Sequence, residues 1–149
     1  MECYTKKLKI RLKKETDFVD ITEQVKQIVS ASKIEHGFVL VFTMHTTSAI
    51  RINENEKFLL QDMKELLERI VPKKHSYRHD QLEKRDCPPN ERINGHSHLR
   101  SLLMGASEVI PLYKGKLCLG KWQSIFFVEL DGYARERNVI VQVYGERFK

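Results

Sequence analysis

The chain has 149 residues, 41% hydrophobic and 31% charged, with 26 Lys and Arg against 20 Asp and Glu for a net charge of +6. That is the composition of a globular protein and not of a disordered chain, and the length suits one hydrophobic core, so a single domain spanning 1–149 is expected. No run of 18 apolar residues exists to form a membrane-spanning helix.

The basic start, MECYTKKLKIRLKK, lacks an apolar signal region, so neither secretion nor a membrane partner is expected. Cys3, Cys87 and Cys118 are scattered, odd in number and without CxxC spacing. They point to a reducing, cytoplasmic setting and away from a disulfide scaffold or thiolate zinc site. The positive charge fits nucleic acid, an anionic small molecule or simple solubility.

Residues 7–13, KLKIRLK, alternate: Leu8, Ile10 and Leu12 face a core while Lys7, Lys9, Arg11 and Lys13 face water, as in a half-buried strand. Asp17–Asp20 forms a turn or short strand. Thr22 is the expected N-cap of a helix to about Ser32, with Ile21, Val25, Ile28 and Val29 on one face. Phe38–Met44, FVLVFTM, reads as a central buried strand. Asn53 with Glu56 forms an expected capping box for a helix from about Glu54 to Ile70, closed by Pro72. Residues 72–93 show no clear periodicity, and loops of that length in a compact protein are usually functional or mobile. A short helix carrying His98, Leu99, Leu102 and Leu103 ends at Gly105. Strands follow at Ser107–Tyr113 and Leu117–Leu119 around a Lys114-Gly115-Lys116 turn, then at Trp122–Leu130 and Val139–Tyr144. Trp122 is expected in the core. The sum is an α+β fold with five to seven largely antiparallel strands, two clear helices and one short one.

Three constellations could carry chemistry. In His45-Thr46-Thr47-Ser48 a hydrophobic strand delivers an imidazole and three hydroxyls into a turn, a set that suits phosphate or carboxylate. The plainer reading is a capped connection with an exposed histidine. In Asn94-Gly95-His96-Ser97-His98 a histidine pair, joined by His79 from the long loop, suits metal binding or acid–base work, against a polar helix cap. Glu129 ends the apolar run SIFFVEL, where a carboxylate requires a partner; Arg135 and Arg137 are the candidates, or serve as clamps for phosphate. The alternative is a hairpin with surface ion pairs.

The runs HTTSAIRINENE (45–56), YRHD (77–80) and NGHSHLRSLLMGASEVIPLYKGKLCLGKWQSIFFVELDGYARERNVIVQVYGE (94–146) resemble the YjbQ-like family. Its members are small proteins described as uncharacterised, some called secondary thiamine-phosphate synthases. The likeness covers nearly the whole chain, and the G-x-W-Q-x-I stretch at 120–125 is its more specific part. Lys121 stands where the family usually has Thr, and Tyr133-Ala134 where a Pro-Arg-like pair is common. The resemblance implies a barrel-like antiparallel sheet with two to three flanking helices, assembled as a homotrimer. It also implies a polar pocket from His45, Thr46, Thr47, Ser48, His79, Asn94, His98, Gln123 and Glu129, with Arg135 and Arg137 matching the family's basic residues.

The leading expectation is an enzyme acting on a phosphorylated small molecule, a transferase with weak thiamine-phosphate synthase activity. Thr46, Thr47, Ser48, Asn94 and Arg135 would bind phosphate. His45 or His98 would protonate the leaving group, oriented by Glu129, and Mg²⁺ could screen a diphosphate. The alternatives are a metal-dependent hydrolase with His45, His79 and His98 holding zinc or another divalent ion, and a non-catalytic module for an anionic ligand. Nucleic acid is not the expected partner, because aromatic residues do not interleave with the basic ones.

Overall fold

A computed structural model describes residues 1–12, 14–132 and 135–147 of the chain. Lys13 of the first predicted strand and the Tyr133-Ala134 pair therefore lie outside the described residues.

Eight strands and three helices follow one another: β1 (Glu2–Leu12), β2 (Asp17–Asp20), α1 (Thr22–Ser32), β3 (His36–Thr43), β4 (Ser48–Asn53), α2 (Lys57–Ile70), α3 (Gly95–Met104), β5 (Ser107–Tyr113), β6 (Lys116–Leu117), β7 (Ser124–Glu129) and β8 (Arg135–Glu146). The strands form a five-stranded sheet, β1-β8-β3-β5-β6, and a three-stranded sheet, β2-β7-β4. Every pairing within them is antiparallel. The class is α+β, with a curled, half-barrel antiparallel wall and three helices, as the sequence indicated. The strand count exceeds the expected five to seven because Ser48–Asn53, which the sequence reading did not assign to a strand, forms β4.

The small sheet lies between two cores. Ile50, Ile125 and Phe127 face Val39, Val41, Val139, Val141 and Val143 of the large sheet and Val25, Ile28 and Val29 of α1. The other side presents Ala49, Phe126 and Val128 to Leu67 of α2 and Met104 of α3. Strand β7 is thus covered on both faces, which is why its sequence is a continuous apolar run without alternation. Full burial of each of its phenylalanines contributes about 1.5–3 kcal/mol.

Four features differ from expectation. Thr22 does not cap α1. Asp20 Oδ1 accepts from the Thr22 N–H (2.9 Å) and hydroxyl (2.5 Å), and the Thr22 oxygen in turn accepts the Ile125 N–H at 2.9 Å. Helix α2 starts three residues late, because Glu56 itself caps it, accepting from the N–H groups of Phe58 (2.9 Å) and Leu59 (2.8 Å), while Asn53 Oδ1 takes the Glu54 N–H. Strand β3 is central in its sheet but not buried on both faces: Val39, Val41 and Thr43 point inward, whereas Phe38 and Phe42 stay 41% and 40% exposed. Trp122, expected in the core, is 65% exposed under the Lys121 ammonium, 4.8 Å from the ring centroid.

The 72–93 segment is irregular as anticipated, with two single-turn 3₁₀ helices at Arg78–Asp80 and Leu82–Lys84. It folds back onto the start of α3. A side chain at Gly95 would come within 2.8 Å of Tyr77 Cβ, so glycine is what lets this loop press against the helix start.

Candidate functional site

Strand β3 ends at Thr43, and the chain turns through residues 44–47 into β4. The turn is tied to β8 in both directions: Met44 N–H donates to the Asn138 carbonyl (3.1 Å), and Asn138 N–H donates to His45 Nε2 (2.8 Å). His45 and Thr46 line a cleft of about 710 Å³ whose other walls are Phe42, Thr43, Met44 and, from α3, His98, Ser101 and Leu102. His98 also borders a second cleft of about 470 Å³ with Tyr77, Arg78, His79 and Leu99. The His79 and His98 rings meet edge to face, centroids 4.6 Å apart. Helix α3 is held there by the Gly95 N–H donating to Asp80 Oδ1 at 2.8 Å and by Asn94 as N-cap residue.

Behind His45 lies a buried ion pair. Arg137 and Glu129 have no exposed side-chain surface. Arg137 Nε donates to Glu129 Oε2 at 2.7 Å and Nη2 to Oε1, and the same Oε1 accepts the N–H groups of Asp131 (3.0 Å) and Gly132 (3.2 Å). Arg137 Nη2 also donates to Thr47 Oγ1 at 3.0 Å, and Arg135 Nη2 reaches the same oxygen at 3.2 Å. Two guanidiniums converge on one buried hydroxyl. Arg137 Nη1 is buried with no hydrogen-bond partner among the described residues.

The second hub is Asp131, buried except for 1% of its side chain. Arg92 Nε donates to both carboxylate oxygens at 3.1 Å and Arg92 Nη2 to Oδ1 at 2.8 Å. Asn94 Nδ2 donates to Oδ2 at 3.1 Å, and Arg135 lies 3.6 Å from the same oxygen. Asp131 thereby ties the long loop, the α3 start and the β8 arginines together.

The field at the site is positive. Burial pushes the His45 pKa down, and the Arg137 and Arg135 charges push the same way against Glu129. Burial likewise lowers the pKa of His98, helped by His79, Arg85 and Arg135 and opposed by Asp131. Burial works to raise the pKa of Asp131, but the hydrogen bonds from Arg92 and Asn94 and the charges of Arg92 and Arg135 outweigh it, so its carboxyl sits below the usual range. Both histidines therefore sit where a further positive charge is disfavoured.

The structure sorts the predicted residues. His45, Thr46 and His98 share a cleft, and His79 joins His98 from the other side. Thr47 supplies the hydroxyl on which the arginines converge. Ser48 does not line the cleft: its hydroxyl is fully buried and shares a hydrogen bond with Thr43 Oγ1 at 2.6 Å. Asn94 braces Asp131. Glu129 orients neither histidine, because its hydrogen bonds go to Arg137 and to the N–H groups of residues 131 and 132. Gln123 lies elsewhere, its Oε1 accepting the Gly120 N–H at 2.8 Å in a groove with Lys26, Lys116 and Lys121. His96 is turned from His98 toward Glu15, with Nε2 2.7 Å from Oε1. Arg92 and Asp131 are the members that the sequence reading missed. An arginine in an irregular loop gives no periodic signal, and its partner lies 39 residues away.

Among the described residues no group of three or more His, Cys, Asp or Glu side chains is placed to hold a metal ion. His45, His79 and His98 do not converge as a ligand set, and His45 Nε2 is already occupied by a backbone donor. The carboxylates of Glu129 and Asp131 are engaged by guanidiniums, so they do not fit a hard cation such as Mg²⁺ either.

A family model described as "UPF0047 protein YjbQ-like" matches residues 6–146. A UPF0047 protein of Methanothermobacter thermautotrophicus is 42% identical over 98% of this chain and 95% of its own length. The UPF0047 protein YugU of Bacillus subtilis is 32% identical over 94% of this chain and 98% of its own. Among solved structures, a YbjQ-like protein of unknown function from Sulfolobus solfataricus superposes with a TM-score of 0.89 at 36% identity, covering 97% of this chain and 99% of that one. A hypothetical protein from Aeropyrum pernix gives 0.85 at 32% identity over 98% of this chain and all of that one.

Proposed function

The chain belongs to the UPF0047 YjbQ-like family, and we propose that its His45–His98 cleft binds a phosphorylated small molecule and acts on it. The observation that carries this reading is the convergence of Arg135 and Arg137 on Thr47 Oγ1, beside two histidines whose protonation is disfavoured. Arg137 is neutralised by Glu129, whereas Arg135, 3.6 Å from Asp131, is 41% exposed, and an exposed guanidinium suits phosphate oxygens.

The specific reaction we propose is that of a thiamine-phosphate synthase, with weak activity. The thiazole phosphate nitrogen attacks the methylene of a pyrimidine-methyl diphosphate, a C–N bond forms, the C–O bond breaks, and its electron pair leaves with pyrophosphate. This chemistry needs stabilisation of the departing anion more than a protein nucleophile. Arg135, Thr47 and Thr46 would hold phosphate oxygens, and His98, open to both clefts, would deliver a proton to the leaving group. The test is thiamine phosphate formation by the wild type and by His98→Ala. A rate above background that falls in the variant supports the reading. Equal rates remove His98 from it, and no rate above background removes the reaction.

The proposed working unit is the homotrimer that the family resemblance implied. Phe38, Phe42, Val109 and Tyr113 leave the outer face of the large sheet apolar and exposed, and Phe42 also lines the cleft. A cytoplasmic location completes the proposal and suits the three free cysteines.

A further inference from the structure

The two histidines of the cleft are held in different ways. A backbone N–H can only donate, so the 2.8 Å contact from Asn138 N to His45 Nε2 requires a lone pair on Nε2. The ring's single proton then sits on Nδ1. We infer that His45 is fixed as the neutral Nδ1–H tautomer and donates that hydrogen to an oxygen of the bound phosphate, leaving proton transfer to His98. This inference rests on the phosphate-binding reading of the cleft.

The lock extends beyond one hydrogen bond. Asn138 returns the contact by accepting the Met44 N–H at 3.1 Å, so residues 44, 45 and 138 form a closed backbone–side chain loop. Asn138 directly follows Arg137, whose guanidinium is pinned by Glu129 and Thr47. The N–H facing His45 cannot swing away without disturbing that buried pair. A second proton on Nε2 would set two N–H donors against each other. It would also add a charge beside Arg135 and Arg137, and the nearby carboxylate, Glu129, is already engaged. His45 is therefore held neutral, with its one N–H on Nδ1.

His98 has no such lock. Its main chain is helical, with its N–H donating to the Asn94 carbonyl at 3.3 Å, and among the described residues no backbone donor is bonded to its ring nitrogens. Its ring contacts His79 and opens onto both clefts. A ring that can exchange protons with solvent or with a second imidazole is suited to shuttle one.

The experiment is long-range ¹H–¹⁵N correlation of the histidine ring nitrogens in the uniformly ¹⁵N-labelled full chain near pH 7, with His45→Asn used to identify the His45 pattern. The expected result is a pyrrole-type Nδ1 and a pyridine-type Nε2 before any ligand is added, and a shift of Nδ1 when pyrophosphate is titrated in. An Nε2–H or doubly protonated pattern overturns the inference. So does pyrophosphate binding that moves Thr47 and Arg135 signals but leaves His45 Nδ1 unchanged. Failure of pyrophosphate to move any of these groups overturns the phosphate-binding reading itself, a result distinct from a wrong tautomer. A pair of variants gives a second readout. An asparagine amide nitrogen overlays Nδ1, whereas a glutamine amide overlays Nε2. His45→Gln should weaken pyrophosphate affinity about tenfold more than His45→Asn does, the difference expected for a hydrogen bond to a charged group. The reverse order overturns the assignment.

Discussion

Arg137 and Glu129 face each other behind His45 with no solvent-exposed side-chain surface on either, Nε to Oε2 at 2.7 Å. The pair holds three strands' worth of geometry. Glu129 ends β7 and collects two N–H groups of the following turn, Arg137 sits in β8, and its Nη2 reaches Thr47 just before β4. The position of the arginine cluster behind His45 depends on this pair.

Removing one partner leaves a buried charge without compensation. Glu129→Gln keeps an acceptor for the two N–H groups but strips Arg137 of its counter-ion, and Arg137→Met does the opposite. Each is expected to cost about 3–5 kcal/mol, and the double variant less than the two costs added together. Chemical denaturation at one fixed protein concentration measures this, as a drop in midpoint at unchanged slope.

Asp131 predicts the acid limb of the stability profile. Its folded-state pKa is lowered, because the Arg92 and Asn94 hydrogen bonds outweigh burial. The unfolded chain therefore binds a proton first as pH falls. The stabilisation is fully present above the unfolded value of about 3.9 and is lost as pH falls through the lower folded value. Asp131→Asn should lower stability at neutral pH and flatten the profile in that acid range, as read by thermal unfolding across pH. Unchanged slopes would mean that Asp131 is not held in its ionised form.

Much of this arrangement was legible in the sequence, and the exceptions have physical causes. The SIFFVEL run was read as an apolar strand ending at Glu129, and β7 is that strand, covered on both faces. The 45–47 turn was found because polar side chains followed a hydrophobic strand directly. The FVLVFTM run was read as doubly buried, yet Phe38 and Phe42 face outward, since composition alone cannot tell a core from an apolar outer surface. Thr22 looked like a cap, but the side chain two residues earlier, Asp20, does that work. Ser48 shares its neighbours' chemistry, but the strand alternation that begins there turns it inward to Thr43. The Arg92–Asp131 contact joins an aperiodic loop to a turn, and no local pattern encodes it.

Anion binding at the cleft should not depend on a resident metal. The nearby carboxylates are held by Arg137 and Arg92, and His45 Nε2 by Asn138. Pyrophosphate affinity of protein dialysed against a chelator is expected to match that of untreated protein within about twofold, well under the 1.4 kcal/mol that separates tenfold differences. Elemental analysis of the same samples should give substoichiometric zinc and manganese. A stoichiometric metal whose removal abolishes binding would revive the three-histidine ligand set.

The exposed apolar face of the large sheet sets the last expectation. Phe38 and Phe42 on β3 and Val109 and Tyr113 on β5 stand on the side away from the valine core, on strands paired directly to each other. An unassociated chain would leave these side chains in water, at about 25 cal/mol per Å² of apolar surface. For the proposed homotrimer, light scattering after size exclusion should give about three times the 17.6 kDa chain mass. Phe42→Glu places a charge at the centre of the patch and beside the cleft. It should yield a smaller species with unchanged far-ultraviolet circular dichroism, because Phe42 lies outside the core. It should also weaken pyrophosphate binding if the neighbouring copy helps to close the cleft that Phe42 lines. Wild-type protein running as a monomer at micromolar concentration would remove the trimer and leave the face to another partner.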